Sequence, residues 1–196
     1  MMNRFRRQVA RSASLVRYGF ARALTFAAGL ALVAGLSGCS SPQPAHYAAE
    51  RPVLDPSVYF NGTLDAWGMF QDRSGRIVKR FTVAMTGRWE GDTGVLEEDF
   101  VYSDGTKERR VWTLKRVAPD RFIGTAADVV GEASGILSGN TFNWRYTLAL
   151  PVDGRVWHVD FDDWMVLVDD RVMLNRAVMS KFGVRLGEVT LSFTRR

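Results

Sequence analysis

The run from Asp160 to Trp164 holds three acidic and two aromatic residues, and its carboxyl groups are candidates for metal binding or acid–base catalysis. Adjacent carboxylates could bind calcium or act as a general acid. In a strand, however, Asp162 and Asp163 point to opposite faces, and no Asp-x-Asp-x-Asp-Gly loop follows them. We therefore predict no metal site here. Asp163 falls instead among the apolar positions of its strand, which predicts a buried carboxylate that needs a partner.

The turn that follows this strand suggests the partner. If Asp169-Asp170 is the centre of a two-residue hairpin, opposed positions sum to 339 and Asp163 faces Arg176. Both charges then lie on the apolar, inward face. The pair would either orient the polar head of a ligand in a cavity or serve as a structural ion pair that closes the barrel. The other candidate ligand-binding residues are Arg80, Glu188 and Trp164.

Other catalytic signatures are missing from the sequence. The stretch Gly131 to Gly135 is not the Gly-x-Ser-x-Gly elbow of a hydrolase, and no glycine loop for phosphate opens a helix. Two histidines, His46 and His158, cannot build a His-rich metal site, and one cysteine cannot form an internal disulfide. We therefore predict no catalytic residue, no cofactor and no metal ligand.

Short runs rich in Val, Phe, Trp, Tyr and Thr must position these residues, and Gly and Asp turn sequences such as Ser103-Asp104-Gly105 separate them. In the run from Arg155 to Val168, the apolar residues that share one face are Trp157, Val159, Phe161, Met165 and Leu167. Met173 to Val189 could also be drawn as a helix, but Gly183 and Gly187 favour strands. The pattern predicts an all-β domain, a single antiparallel up-and-down barrel of about eight to ten strands, calycin- or lipocalin-like.

Residues 1–38 differ in composition from the rest and are predicted to be an export signal. An arginine-rich start precedes an apolar core from Ala23 to Leu36, which is too short to span about 30 Å of hydrocarbon. Leu36-Ser37-Gly38-Cys39 resembles the lipobox of bacterial lipoproteins, which implies that Cys39 is acylated and becomes the first residue. Ser40 stands where a lipoprotein retained in the inner membrane would more often carry Asp. We therefore expect a lipid-anchored protein in the inner leaflet of the outer membrane, facing the periplasm.

The remaining chain divides into a predicted tether and a predicted domain. Residues 39–56 hold four of the six prolines and show no amphipathic period, which predicts an extended spacer that could reach roughly 50 Å. His46 and Tyr47 are expected to be solvated spacer residues. Residues 57–196 are enough for one barrel domain with a core of its own.

The positive charge of the chain belongs to its leader. The first 38 residues hold six of the 26 Lys and Arg residues and no acid, which leaves 20 basic against 21 acidic residues. No cationic face remains to neutralise phosphates, so we expect no nucleic-acid partner.

Several short stretches together resemble a known family. They are Asp65-Ala66-Trp67-Gly68, Asp104-Gly105, Asp128-Val129-Val130-Gly131, Leu150-Pro151-Val152, Phe161-Asp162-Asp163-Trp164-Met165, Asn175-Arg176-Ala177, Met179-Ser180-Lys181-Phe182-Gly183 and Gly187-Glu188-Val189-Thr190-Leu191. The set is similar to an uncharacterised Gram-negative lipoprotein family, domain of unknown function 3833, over nearly all of residues 57–196. The resemblance implies a single all-β envelope domain, encoded near genes that modify fatty acyl chains, and it brings no catalytic residues.

Three functions remain open at this point. The first is a periplasmic barrel that binds or carries a small hydrophobic or acyl ligand, buried against aromatic side chains. The second is a non-catalytic scaffold or assembly lipoprotein. The third is an enzyme that acts on acyl chains or envelope lipids, with Asp163 or Glu188 as a base of raised pKa, although no nucleophile or cofactor motif supports it.

Overall fold

A computed structural model describes residues 41–152 and 154–196 of the chain. Residues 43–196 form one compact unit. In the described residues, a 3₁₀ turn (Pro44–Tyr47) and a short helix, α1 (Pro56–Tyr59), precede the strands. The strands are β1 (Gly62–Asp72), β2 (Ile77–Glu90), β3 (Thr93–Tyr102), β4 (Lys107–Ala118), β5 (Arg121–Thr125), β6 (Ala133–Ser138), β7 (Thr141–Val152), β8 (Arg155–Leu167), β9 (Val172–Lys181) and β10 (Val184–Arg195).

The strands close into a barrel of up-and-down topology. Each strand pairs antiparallel with the next along the chain, and β1 completes the circle by pairing with β10 from Leu64↔Arg195 to Asp72↔Gly187. Closure pairs the first strand with the last, which are the two strands that would otherwise form the edges of the sheet. The predicted antiparallel barrel is confirmed, and the segment from Met173 onward is strand rather than helix.

Alternation along the strands separates a buried interior from the outer surface. In β8, Val159, Phe161 and Met165 are buried inside, whereas Asp162 and Trp164 lie on the outer face. Facing strands supply the same kind of residue, so the interior is a continuous apolar core that includes Phe81, Trp112, Phe122 and Trp144. The core positions every inward-facing polar group described below.

The chain that precedes β1 closes one end of the barrel, which we call the closed end. Asp55 caps α1 by accepting a hydrogen bond from the Ser57 amide at 2.9 Å. The hydroxyl of Tyr59 donates to the carbonyl of Arg171 at 3.0 Å, which ties the helix to the β8–β9 turn. Phe60 packs edge-on against Phe193 inside, with ring centroids 6.1 Å apart. At Gly87, a Cβ would overlap the carbonyl oxygen of Phe60, so only glycine allows this approach.

Residues 43–56 lie along the barrel and do not extend away from it as predicted, although most of them, including His46, are exposed. Leu54 is fully buried and its amide donates to the carbonyl of Gly139 in the β6–β7 turn at 2.9 Å. The ring of Tyr47, which is half-buried, lies 5.8 Å from that of Trp164. The physical reason for the difference is the apolar surface that Leu54 buries against the barrel. Cys39, the predicted lipidation site, lies outside the described residues.

The β8–β9 hairpin has a longer turn than the sequence suggested. Leu167 pairs with Met173, and the Val168 amide donates to the Val172 carbonyl at 2.9 Å. The loop between Val168 and Val172 therefore holds three residues, 169–171, instead of two. The cause is the side chain of Asp169, which accepts hydrogen bonds from the amides of Arg171 and Val172 at 2.9 and 2.7 Å. The register therefore differs by one position from the predicted sum of 339, so the predicted opposition of Asp163 and Arg176 is wrong.

Candidate functional site

The barrel interior contains a cavity of about 170 Å³. Phe60 lines it at the closed end. At the other end, which we call the open end, the lining includes Glu108, whose side chain is 44% exposed at the start of β4. Aromatic residues make up 11 of the 25 residues in the lining, and they include Phe81, Phe100, Trp112, Trp144, Tyr146 and Phe161. The cavity is thus an apolar chamber with one covered end and one end near solvent.

The aromatic walls are held by mutual ring contacts. Tyr146 on β7 stacks on Phe161 of β8, with centroids 5.1 Å apart and planes 6° from parallel. Trp112 on β4 meets Tyr146 and Trp144 edge-on, at 5.3 and 5.6 Å. Such pairs fix the orientation of each ring, so the shape of the chamber is built into the fold.

One polar group in the lining centres on Asp163. This side chain is 6% exposed, and its Oδ2 accepts hydrogen bonds from the Asn175 amide nitrogen at 3.3 Å and the Tyr146 hydroxyl at 3.4 Å. Oδ1 of Asp163 and Oδ1 of Asn175 are both buried without a hydrogen-bond partner in the described structure. Two acceptors in an apolar chamber thus remain unsatisfied, which buried polar atoms rarely do.

A second polar group centres on Arg110. Its Nε and one terminal nitrogen donate to Asp128 at 2.9 and 2.7 Å. The guanidinium lies 4.0 Å from Glu98, its register partner on β3, and 3.6 Å from Glu108. Its centre also lies 5.4 Å from the centroid of the Phe100 ring. The buried cation is therefore surrounded by three carboxyl groups, which offset the cost of its burial.

Burial controls the acid–base properties of the lining. It raises the pKa of Asp163 to about 7, against the hydrogen bonds from Asn175 and Tyr146, which act in the opposite direction. Burial also raises the pKa of Glu98 to about 7, although the positive charge of Arg110 lowers it. For Arg110 itself, burial disfavours the charge, yet Glu98 and Asp128 hold the pKa above its ordinary value. Two carboxyl groups of the chamber are therefore poised near neutral pH.

Of the five residues predicted for ligand binding, only Asp163 lines the chamber. Arg176 is on the outer face, where it pairs with Glu188 at 2.7 Å and its side chain is 59% exposed. Arg80 is exposed on the outer face of β2. Trp164 is partly covered by Tyr47 on the outside. The one-residue difference in register moved Arg176 away from Asp163.

Four further lining residues were not predicted from the sequence to belong to the site, namely Glu98, Arg110, Tyr146 and Asn175. The sequence held a signal for the first two, because Glu98 stands two residues from both Leu96 and Phe100, and Arg110 stands two residues before Trp112, on the face of each strand that points inward.

No three His, Cys, Asp or Glu side chains group into a possible metal site in residues 41–152 and 154–196. In the same residues, no helix is long and apolar enough to cross a membrane.

Comparison with known proteins identifies the family. Residues 33–195 match the model of the family described as "Protein of unknown function (DUF3833)". The chain belongs to the DUF3833 family. The resemblance predicted from its short motifs is thereby confirmed. This DUF3833 chain matches no curated protein.

Two solved structures are among those similar to this DUF3833 chain. The S-type phycobiliprotein lyase CPES from Guillardia theta shares 8% sequence identity with this chain. The superposition covers 79% of this chain and 98% of the lyase, with a TM-score of 0.55. A redesigned β-barrel, mFAP1 bound to DFHBI, has 10% identity and a TM-score of 0.41 over 72% of this chain and 100% of the design. At this identity, the likeness to the lyase shows a shared fold and nothing about activity.

Proposed function

We propose that the barrel binds a small hydrophobic ligand, such as a ring or a short acyl segment, in its interior. The observation that carries this is the aromatic chamber of about 170 Å³ with one covered end and one end near solvent. An apolar cavity of about 150 Å³ is enough to take up benzene. A ligand of that size would fit entirely, and a longer chain would extend through the open end.

The proposed setting is the cell envelope. We propose that the chain is exported, that Cys39 carries a lipid, and that the barrel is held at the inner leaflet of the outer membrane. The support is the arginine-rich leader, the short apolar core and the lipobox-like Leu36-Ser37-Gly38-Cys39. Mass spectrometry of the protein from envelope fractions tests this, because an acylated N-terminal Cys39 has a distinct mass. An uncleaved N terminus would contradict it.

Ligand binding can be tested on residues 43–196, which contain the whole core and the closing helix. The segment is expressed in the periplasm, purified without detergent, and analysed by native and lipid-extract mass spectrometry. We expect a bound apolar species at a stoichiometric level. A barrel that stays empty after challenge with fatty acids, fatty alcohols and phospholipids would favour the alternative function, a non-catalytic scaffold.

A matched pair of variants separates binding in the chamber from binding on the surface. Ala177 is 2% exposed and lines the chamber, so Ala177→Leu fills part of it. Arg176→Leu places the same side chain one residue away on the outer face. We expect Ala177→Leu to lower ligand occupancy at least about tenfold and Arg176→Leu to leave it within twofold of wild type. Equal losses in both variants would contradict an interior site.

A further inference from the structure

The polar atoms of the chamber indicate which ligand head it accepts, an inference that rests on the proposed function. Oδ1 of Asp163 and Oδ1 of Asn175 are buried acceptors without a partner, and both residues line the chamber. The Asn175 amide nitrogen already donates to Asp163 Oδ2, so the atom that remains free on Asn175 is its carbonyl oxygen. Carboxylate and carbonyl oxygens accept hydrogen bonds. The part of the chamber wall formed by Asp163 and Asn175 therefore needs hydrogen-bond donors from a ligand.

The distribution of charge in the lining points the same way. Three carboxyl groups, those of Glu98, Glu108 and Asp163, line the chamber together with one guanidinium, that of Arg110. Two nitrogens of that guanidinium already donate to Asp128, and Glu98 and Glu108 lie within 4.0 Å of it. A ligand carboxylate would find the largely buried guanidinium of Arg110 already occupied and would meet a surplus of acids among the described lining residues. Like charges at short range in a medium of low polarity repel strongly.

We propose that the ligand presents an uncharged or cationic head that donates hydrogen bonds, such as an alcohol or amine, to Asp163 and Asn175. The same wall discriminates against a free carboxylate, so an unmodified fatty acid is a poor ligand. Asp163 lies on β8 nearer its closed-end terminus, so the head goes in first and the apolar chain follows towards the open end.

Four probes of similar length test this choice on residues 43–196 at about pH 8: hexan-1-ol, hexylamine, hexanoate and 1-methoxyhexane. Three of them share a hexyl chain and hexanoate has six carbons in all, so the probes differ chiefly in charge and in the ability to donate a hydrogen bond. Isothermal titration calorimetry is expected to show hexylamine and hexan-1-ol binding at least tenfold more tightly than hexanoate and 1-methoxyhexane. Hexanoate binding as tightly as hexylamine, or four equal affinities, would overturn the head-group assignment while leaving ligand binding intact. Failure of all four probes and of copurification would overturn the proposed function itself.

Two variants test whether Asp163 and Asn175 cause the preference for a head group that donates hydrogen bonds. Asp163→Asn should weaken hexylamine at least tenfold and change 1-methoxyhexane less than twofold, because only the donor head contacts this side chain. Asp160→Asn, which removes an exposed carboxylate from the outer face of the same strand, is the matched control and should change neither probe. Asn175→Leu is the second test, and it should weaken hexan-1-ol more than 1-methoxyhexane. An unchanged ranking in folded Asp163→Asn and Asn175→Leu would overturn the assignment, and the wild-type ranking decides if both variants fail to fold.

Discussion

Replacing Asp163 with Asn removes a carboxyl group that the fold buries without a counter-ion in direct contact, and it should stabilise the protein above neutral pH. The pKa of this group rises from 3.8 to about 7 on folding, chiefly through burial. Below about pH 3.8 the group is protonated in both states. Between the two values the folded state keeps the proton while the unfolded state releases it, so stability falls as pH rises. Above about pH 7 the full penalty applies.

The size of the effect follows from the pKa shift. A shift of about three pKa units corresponds to about 4 kcal/mol of lost stability in the wild type at high pH. About two of those units fall between pH 5 and pH 7, so the free energy of unfolding of Asp163→Asn relative to wild type should grow by about 3 kcal/mol between about pH 5 and about pH 8. Any effect of the substitution on stability that does not depend on pH cancels when the free energies at the two pH values are compared. Glu98 is present in both proteins and cancels to the same approximation.

The assay is urea unfolding of residues 43–196 at several pH values, followed by tryptophan fluorescence and extrapolated linearly to water. The chamber itself holds Trp112 and Trp144, which report on loss of the core. Asp160→Asn measures the effect of losing an exposed carboxylate from the outer face of the same strand. A difference between Asp163→Asn and wild type that stays constant within about 0.5 kcal/mol over this pH range would refute the reasoning.

Three further predictions concern stability, each read from urea unfolding. Gly87→Ala should destabilise the barrel by about 3 kcal/mol, because its Cβ would overlap the Phe60 carbonyl; a smaller loss than about 1 kcal/mol would mean that the end closes differently. Phe182→Asn should stabilise it by about 1 kcal/mol, since Phe182 has a φ of 52° and is 91% exposed, whereas Phe182→Ala should give little gain. Asp55→Ala should cost about 1 kcal/mol through loss of the α1 cap and of the contact with Arg116 at 2.6 Å. Burial raises the pKa of Asp55, but hydrogen bonds from Ser57 and the charge of Arg116 together outweigh it, so the pKa is lowered. The stability that the ionised Asp55 contributes should therefore be lost as the pH falls through the acidic range. A cost of Asp55→Ala that persists in acid would contradict this.

The barrel could be predicted from the sequence because alternation is a local signal. The inward face of β8 contains Val159, Phe161 and Met165, as predicted, and this also places Asp163 inside. Register needs the length of each turn as well. At Asp169 the side chain takes over part of the backbone hydrogen bonding, and sequence alone does not separate that loop of three residues from a hairpin of two.

The contact between Glu98 and Arg110 could have been predicted by counting paired residues outward from a turn. Ser103-Asp104-Gly105 is a turn sequence, and pairing about Asp104 places Glu98 opposite Arg110, as the structure has it. The contact of Asp128 could not be predicted, since Asp128 lies in the loop between β5 and β6, where no strand alternation defines the direction of a side chain. Groups that meet across one hairpin can be predicted from turns, whereas a group on a loop depends on how that loop packs.

The packing of Leu54 makes the segment before α1 part of the folded barrel. Tyr47 and Glu50 lie against Gly139 in the β6–β7 turn at the closed end. Leu54 is fully buried, and its amide donates to the carbonyl of Gly139 at 2.9 Å. A truncation that begins at residue 56 would therefore delete a core side chain and uncover part of the closed end. A stable barrel fragment should begin at or before Gln43.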